Sequence, residues 1–109
     1  MRKLLLIINL LLIFGCNGNI EKTKIEIPSA QCGMCAITIE GALNKIDGVK
    51  KVLVDMDALK VTVAYDGEKT DVKSFELAIS NAGYQANETL SNAEVYKTLP
   101  GCCKLPEDR

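Results

Sequence analysis

Apolar and polar residues alternate one by one in some stretches of the chain and recur every three or four residues in others. One-by-one alternation predicts half-buried strands, and the longer repeat predicts amphipathic helices. Three stretches alternate in this way: residues 22–27, which stop at Pro28, Val52 to Met56, and Leu59 to Tyr65. The short link at Asp57-Ala58 predicts a hairpin between the second and third strands. A fourth, weaker strand is predicted over residues 84–89.

Two stretches with helical spacing lie between these strands. Their apolar positions follow the spacing i, i+3, i+7 and i+10, namely Ala36, Ile39, Leu43 and Ile46 in the first and Val72, Phe75, Ile79 and Ala82 in the second. Gly48 and Gly83 end the two helices, and Thr70 or Asp71 can cap the start of the second.

The predicted order of elements is therefore βαββαβ, and the second half repeats the pattern of the first. Handedness and hairpin rules fold such a chain into an α+β, ferredoxin-like sandwich, with a four-stranded antiparallel sheet and two helices on one face. This domain is predicted over residues 22–89, and residues 90–109 form a C-terminal tail.

The N-terminal stretch predicts export. Arg2 and Lys3 precede the apolar run Leu4 to Phe14, which is shorter than the roughly 20 residues of a membrane-spanning helix. A charged start, a short apolar run and a small Gly15 are typical of a secretory signal over residues 1–15. The sequence Ile13-Phe14-Gly15-Cys16 resembles a bacterial lipobox, in which Cys16 becomes the lipidated N-terminus and residues 16–21 a tether.

Export followed by lipidation predicts a membrane-anchored protein on the periplasmic or extracellular side. An ordinary cleaved signal with a stray cysteine, or an uncleaved anchor, is the alternative interpretation.

Composition excludes several classes of function. The 109 residues carry 13 basic and 14 acidic side chains, so no strong field favours nucleic acid. The chain has no histidine, which removes the commonest general base and every mixed Cys/His zinc finger. With no nucleophile and base pair in the sequence, we expect a protein that is not an enzyme.

Cys32 and Cys35 carry the candidate chemistry. They lie between the first strand and the first helix, so Cys35 falls in the first helical turn and both sulfurs can face one point. The partial positive charge of a helix N-terminus stabilises a thiolate, the form that binds metal. Two soft sulfurs select Cu(I) first, or Hg(II), whereas Zn(II) prefers four ligands.

The loop from Ala30 to Glu40 and the βαββαβ pattern resemble the heavy-metal-associated domain of copper chaperones, copper-pump N-terminal domains and periplasmic mercury-binding proteins. The resemblance covers about residues 22–89. It implies that Cys32 and Cys35 are the metal ligands, that Tyr84 lies beside the metal, and that the partner is a metal transporter or P-type ATPase.

The sequence departs from the family pattern around the ligands. Ala30 stands where the family usually has a methionine packed under the loop, and Gln31 where Thr or His is common. Met34, inside the motif, is not equivalent to the missing methionine. Gln31 and Met34 are nevertheless expected to surround the ligands with Tyr84.

Two other functions remain open for the cysteine pair. Outside the cytoplasm, Cys32 and Cys35 could form a disulfide that stabilises an interaction module. They could also form a redox-active dithiol, although the prolines are badly placed for a thioredoxin-like site.

Cys102 and Cys103 are adjacent and lie outside the predicted domain. They could add ligands to the first site, which would keep Zn(II) open, form a separate thiol site, or form a strained disulfide. A fourth strand would end on the side of the domain opposite the loop. The tail would then start about 20 Å away, taking six residues at about 3.3 Å each, a distance that it is long enough to cover.

Overall fold

The computed structural model describes residues 20–109. The predicted signal sequence, Cys16 and residues 17–19 of the tether lie outside the described residues. The elements are strands β1 (Ile20–Glu26), β2 (Val49–Asp55) and β3 (Lys60–Asp66), helices α1 (Gly33–Asn44), α2 (Val72–Asn81) and α3 (Ala93–Thr98), and the 3-10 turns Gly101–Cys103 and Pro106–Asp108. No helix of residues 20–109 is long and apolar enough to cross a membrane.

The three strands form an antiparallel sheet in the order β1-β3-β2. Ile25 faces Val61, and Val63 lies between Thr23 and Val52. The alternation read from the sequence predicts which side chains of these strands face the core, and Ile25, Val61 and Val63 are fully buried there.

Helices α1 and α2 pack against each other and supply the other half of the core. Phe75 and Ile79 of α2 are fully buried, and the ring of Phe75 meets Tyr65 of β3 edge to face, with centroids 4.8 Å apart. Asp71 caps α2 as predicted, since its carboxylate accepts a hydrogen bond from the backbone N–H of Ser74 at 2.9 Å. Gly83 follows α2 with a φ of 103°, a conformation that favours glycine.

The predicted fourth strand is wrong as a full strand in the described part of the chain. Only one isolated bridge, between Ala86 and Thr89, lies in this region. Asn87 has a φ of 51°, and this left-handed conformation turns the chain back instead of extending it. Asn87 still forms two hydrogen bonds with the last residue of β1. Its N–H donates to the Glu26 carbonyl at 2.8 Å, and its side-chain oxygen accepts from the Glu26 N–H at 2.9 Å. The sheet therefore has three strands.

This turn also corrects the expected position of the tail. Because the chain reverses near Asn87, residues 90–92 lie beside the C-terminal end of α2 rather than at the opposite side of the domain. Ser80 Oγ donates to the Leu90 carbonyl at 2.7 Å, and the Asn92 N–H donates to the Ser80 carbonyl at 2.9 Å. The tail therefore starts close to the cysteine loop, with no length of sheet to cross.

Candidate metal centre

Two buried residues, Ser29 and Ala30, attach the loop between β1 and α1 to the domain. Ser29 Oγ accepts a hydrogen bond from the backbone N–H of Gln85 at 2.9 Å. This bond joins the cysteine loop to the segment that follows α2. Sequence analysis missed Ser29, because nothing in its local pattern shows that a serine after a strand will meet a backbone 56 residues away.

Cys32 and Cys35 lie together at the start of α1, as their spacing predicts. Cys32 is the N-cap residue, Cys35 lies in the first turn, and their sulfurs are 3.5 Å apart. Cys32 is half-buried and Cys35 is fully buried. The buried stripe of α1 is Cys35, Ile39 and Leu43, so it begins one residue earlier than predicted, and Ala36 is only half-buried. Cys35 therefore belongs both to the core and to the thiol pair.

Helix α1 activates the Cys32 thiol. The backbone N–H of Cys35 is the main cause that lowers the pKa of Cys32 from 9.0 to about 7, and the Cys35 thiol and the Met34 N–H act in the same direction. Partial burial opposes this shift but does not cancel it. Near neutral pH a large fraction of Cys32 is therefore thiolate, the form that binds soft metals.

The tail brings its two cysteines to the same place. Cys103 Sγ lies 3.8 Å from Cys32 Sγ and 3.9 Å from Cys102 Sγ. The sulfurs of Cys32, Cys102 and Cys103 all lie within 4.8 Å of one another. Cys102 is exposed, Cys103 is buried, and all four cysteines of residues 20–109 are free thiols.

Cys103 has an environment opposite to that of Cys32. Burial is the main cause that raises the pKa of Cys103 to about 12, and the thiols of Cys35 and Cys32 raise it further, while Tyr84 lowers it. The site thus contains one thiol that ionises readily, Cys32, and one that stays protonated near neutral pH, Cys103. A metal ion that binds Cys103 would displace its proton.

Tyr84 lies beside the thiols of Cys35 and Cys103. Its side chain is almost fully buried, and burial is the main cause that raises the pKa of its hydroxyl, followed by the neighbouring thiols of Cys103 and Cys35. Gln31 and Met34 are placed differently. The Gln31 amide donates to the carbonyls of Ser29 and Ala30, and the Met34 side chain is 55% exposed to solvent.

The cluster can hold a soft cation at the surface of the domain. Its four sulfurs come from the loop, from α1 and from the tail, and it contains no histidine because the chain has none. Thiolate sulfur favours Cu(I), Hg(II) and Zn(II) over hard ions such as Mg²⁺. Because Cys32 and Cys102 reach the solvent, an ion held here would remain accessible to the thiol of another protein.

Comparison with known proteins shows a family match for the domain that carries Cys32 and Cys35. A sequence model of the "Heavy-metal-associated domain" matches residues 24–85. The chain is 39% identical over 64 residues to the "Mercuric transport protein periplasmic component" of Shewanella putrefaciens, an overlap of 59% of this chain and 70% of that protein.

Two solved structures share the fold. The first is oxidised MerP from Ralstonia metallidurans CH34, with a TM-score of 0.60, 31% identity, and coverage of 62% of this chain and 94% of that one. The second is the N-terminal domain of a potential copper-translocating P-type ATPase from Bacillus subtilis in the Cu(I)-loaded state, with a TM-score of 0.60, 34% identity, and coverage of 62% and 85%. These likenesses confirm the α+β, ferredoxin-like class.

Proposed function

Because the chain belongs to the heavy-metal-associated domain family, we propose that it binds one soft metal ion through Cys32 and Cys35 and passes that ion to another protein. The family match confirms the resemblance read from the sequence, and it makes the chain a heavy-metal-binding domain. The observation that carries the proposal is the pair of sulfurs 3.5 Å apart at the start of α1, of which one is partly open to solvent.

Cu(I) and Hg(II) are the two candidate ions. The sequence favours Cu(I) because two thiolates satisfy it, and the Cu(I)-loaded state of the Bacillus subtilis domain supports this choice. The name of the Shewanella putrefaciens relative favours Hg(II), which also accepts two sulfurs. A competition between the two ions for the same protein decides between them.

Transfer would proceed by thiolate exchange. A cysteine of the partner loses its proton to solvent and binds the ion, which then has one more sulfur ligand. Cys32 or Cys35 next leaves and takes up a proton, so no electrons are transferred. By likeness to the P-type ATPase domain and the mercuric transport protein, the partner is a metal transporter or a P-type ATPase.

Tyr84 is proposed to tune this exchange. Its hydroxyl lies against Cys35 and Cys103, and its side chain is almost fully buried. A hydrogen bond from the hydroxyl would reduce the charge on the sulfur that accepts it and so weaken that sulfur's bond to the ion.

Lipidation of Cys16 is proposed to hold the domain at a membrane after export. β1 begins at Ile20, which pairs with Asp66, and the cysteine loop follows the other end of β1. A tether that enters at Ile20 would therefore leave the loop facing away from the membrane. Mass spectrometry of the N-terminal peptide tests this: we expect a lipid on Cys16 and none in a Cys16→Ser variant, and an unmodified wild-type Cys16 contradicts it.

The proposed metal site is tested by titration of the reduced protein with Cu(I), and separately with Hg(II), against a competing chelator under nitrogen. We expect tight binding of one ion per chain, lost in a Cys32→Ser/Cys35→Ser variant. Thr38→Ala is the matched control, because Thr38 is exposed on the same helix and its hydroxyl donates to the Met34 carbonyl rather than to a cysteine. A wild type that loses both ions to a weak chelator contradicts the proposal.

The same double variant tests the rival redox and disulfide interpretations. A redox protein would exchange disulfides at a rate that does not depend on metal and would lose this activity in the variant. A structural disulfide would leave only a loss of stability when both cysteines are replaced.

A further inference from the structure

The C-terminal tail lies outside the segment that matches the family, which ends at residue 85. It is nevertheless attached to the domain through several contacts. The backbone N–H of Asn92 bonds to Ser80, and Leu99 lies so close to Gly83 that a Cβ atom there would come within 3.1 Å of it. The end of the tail is also folded, since the Tyr96 hydroxyl accepts from the Leu105 N–H at 2.9 Å and donates to Asp108 at 2.6 Å.

This attachment places Cys103 against the cysteine loop. Cys103 is 2% exposed, and its sulfur is 3.8 Å from Cys32 and close to Cys35 and Tyr84. Its backbone N–H donates to the Pro100 carbonyl at 2.9 Å, so a turn sets the direction of its side chain. Cys102 is the preceding residue and is exposed to solvent.

We propose that the tail is part of the metal site, with Cys103 as a third thiolate beside Cys32 and Cys35, and Cys102 as a fourth sulfur at the solvent side. This inference rests on the proposed function, because it adds ligands to the same ion. Each thiol that becomes a ligand releases its proton to solvent, and the oxidation state of the ion does not change.

The distances between the sulfurs allow three or four ligands around one ion. With a metal–sulfur bond of about 2.3 Å, two linear sulfurs lie about 4.6 Å apart, three trigonal sulfurs about 4.0 Å apart and four tetrahedral sulfurs about 3.8 Å apart. The observed separations are 3.5 Å for Cys32 and Cys35, 3.8 Å for Cys32 and Cys103, and 3.9 Å for Cys102 and Cys103. The sulfurs of Cys32, Cys102 and Cys103, all within 4.8 Å of one another, are therefore close enough to bind one ion after small shifts.

Extra sulfurs would change what the site can hold. A third thiolate on the same chain is already positioned beside the ion, so it should raise affinity without a second molecule. Four sulfurs would also accept Zn(II) or Cd(II), ions that two thiolates hold poorly. Cys102, as the exposed member, would be the sulfur that a partner's thiol replaces first.

The test is X-ray absorption at the mercury edge on the full chain loaded with one equivalent of Hg(II), together with Hg(II) competition against a dithiol chelator. We expect at least three sulfur neighbours in the wild type, one fewer in Cys103→Ser, and an affinity about tenfold lower or more in that variant. Light scattering on each sample checks that the complex is monomeric, so that every sulfur comes from one chain. If Cys103→Ser does not fold, a Cys102→Ser variant that keeps three sulfur neighbours still assigns the third ligand to Cys103.

The outcomes separate the two proposals. Two sulfurs in the wild type, with an unchanged affinity in Cys103→Ser, overturn the role of the tail and leave the proposed function standing. A third sulfur supplied by a second chain in a dimer also overturns it. Failure of the wild type to bind Hg(II) and Cu(I) at all overturns the proposed function itself. Cys102→Ser then shows whether Cys102 is a ligand, because this variant loses one sulfur neighbour only if Cys102 binds the ion.

Discussion

The difference between the Cys32 and Cys103 thiols gives a quantitative prediction for the metal-free protein. Cys32 has its pKa lowered to about 7 by the first-turn backbone, and Cys103 has its pKa raised to about 12 by burial. Alkylation with iodoacetamide requires the thiolate, so the two residues should react at very different rates. The experiment varies the pH, which changes the fraction of each thiol that is ionised and leaves the sequence unchanged.

The magnitude follows from the two pKa values. At pH 7 about half of Cys32 is thiolate, whereas a thiol with the ordinary pKa of 9.0 is about one part in a hundred thiolate. A less basic thiolate is a weaker nucleophile, with a Brønsted coefficient of about 0.45, so this roughly fiftyfold gain becomes a rate advantage of about sixfold. The same arithmetic makes Cys103 about 300-fold slower than Cys32, before its burial slows it further.

The assay is a time course of alkylation between pH 5 and pH 10, with a strong chelator present and the modified residue located by tandem mass spectrometry. The Cys32 rate should be low in acid, rise with a midpoint of about 7 and level off above it, since a lowered pKa places the thiolate on the alkaline side of 7. A Cys32→Ser variant should lose this fast phase. In concentrated urea all cysteines should react with the ordinary midpoint.

Two results would refute the reasoning. A Cys32 midpoint near that of free cysteine would mean that the N–H groups of α1 do not stabilise its thiolate. Modification of Cys103 at the rate of Cys32 in the folded protein would mean that the tail does not lie on the loop.

Three substitutions test the structure around the site by urea unfolding. Asp71→Ala should lower the urea midpoint at pH 7, because the Ser74 N–H loses its acceptor. The pKa of Asp71 is lowered in the folded state, so its carboxylate stabilises the fold most above the ordinary aspartate pKa. The difference in midpoint between variant and wild type should therefore disappear as the pH falls through the lowered pKa. An equal difference at pH 2 would contradict this sign. Gly83→Ala should cost at least about 1 kcal/mol, because a side chain at a φ of 103° is strained and its Cβ would crowd Leu99. An unchanged midpoint would contradict both the positive φ at Gly83 and the contact with Leu99. Phe75→Ala should cost about 3–5 kcal/mol, because a fully buried ring is removed, and a loss below 1 kcal/mol would place Phe75 outside the core.

Within residues 20–109, the amino-acid sequence predicts most features that depend on neighbouring residues. Alternation in β1, β2 and β3 and the helical repeats are local patterns, and the structure has these elements. However, β1 and β2 begin two and three residues earlier than predicted, and α1 ends at Asn44, before Gly48. The cap at Asp71 and the position of Cys32 and Cys35 at a helix start are also local, because a strand, a short loop and a helix of this spacing leave little freedom. The spacing of the two cysteines is therefore enough to identify the thiol pair.

Contacts between distant segments determine the rest. At Asn87 the left-handed backbone and two hydrogen bonds to Glu26 turn the chain back, so no fourth strand forms. The pattern of apolar and polar residues does not predict this turn. The tail then lies beside α2 because Leu99 packs on Gly83 and Asn92 bonds to Ser80. From the sequence alone, Cys103 is a cysteine that could reach the loop. Only the packing of residues 90–109 on the end of α2 places its sulfur 3.8 Å from Cys32.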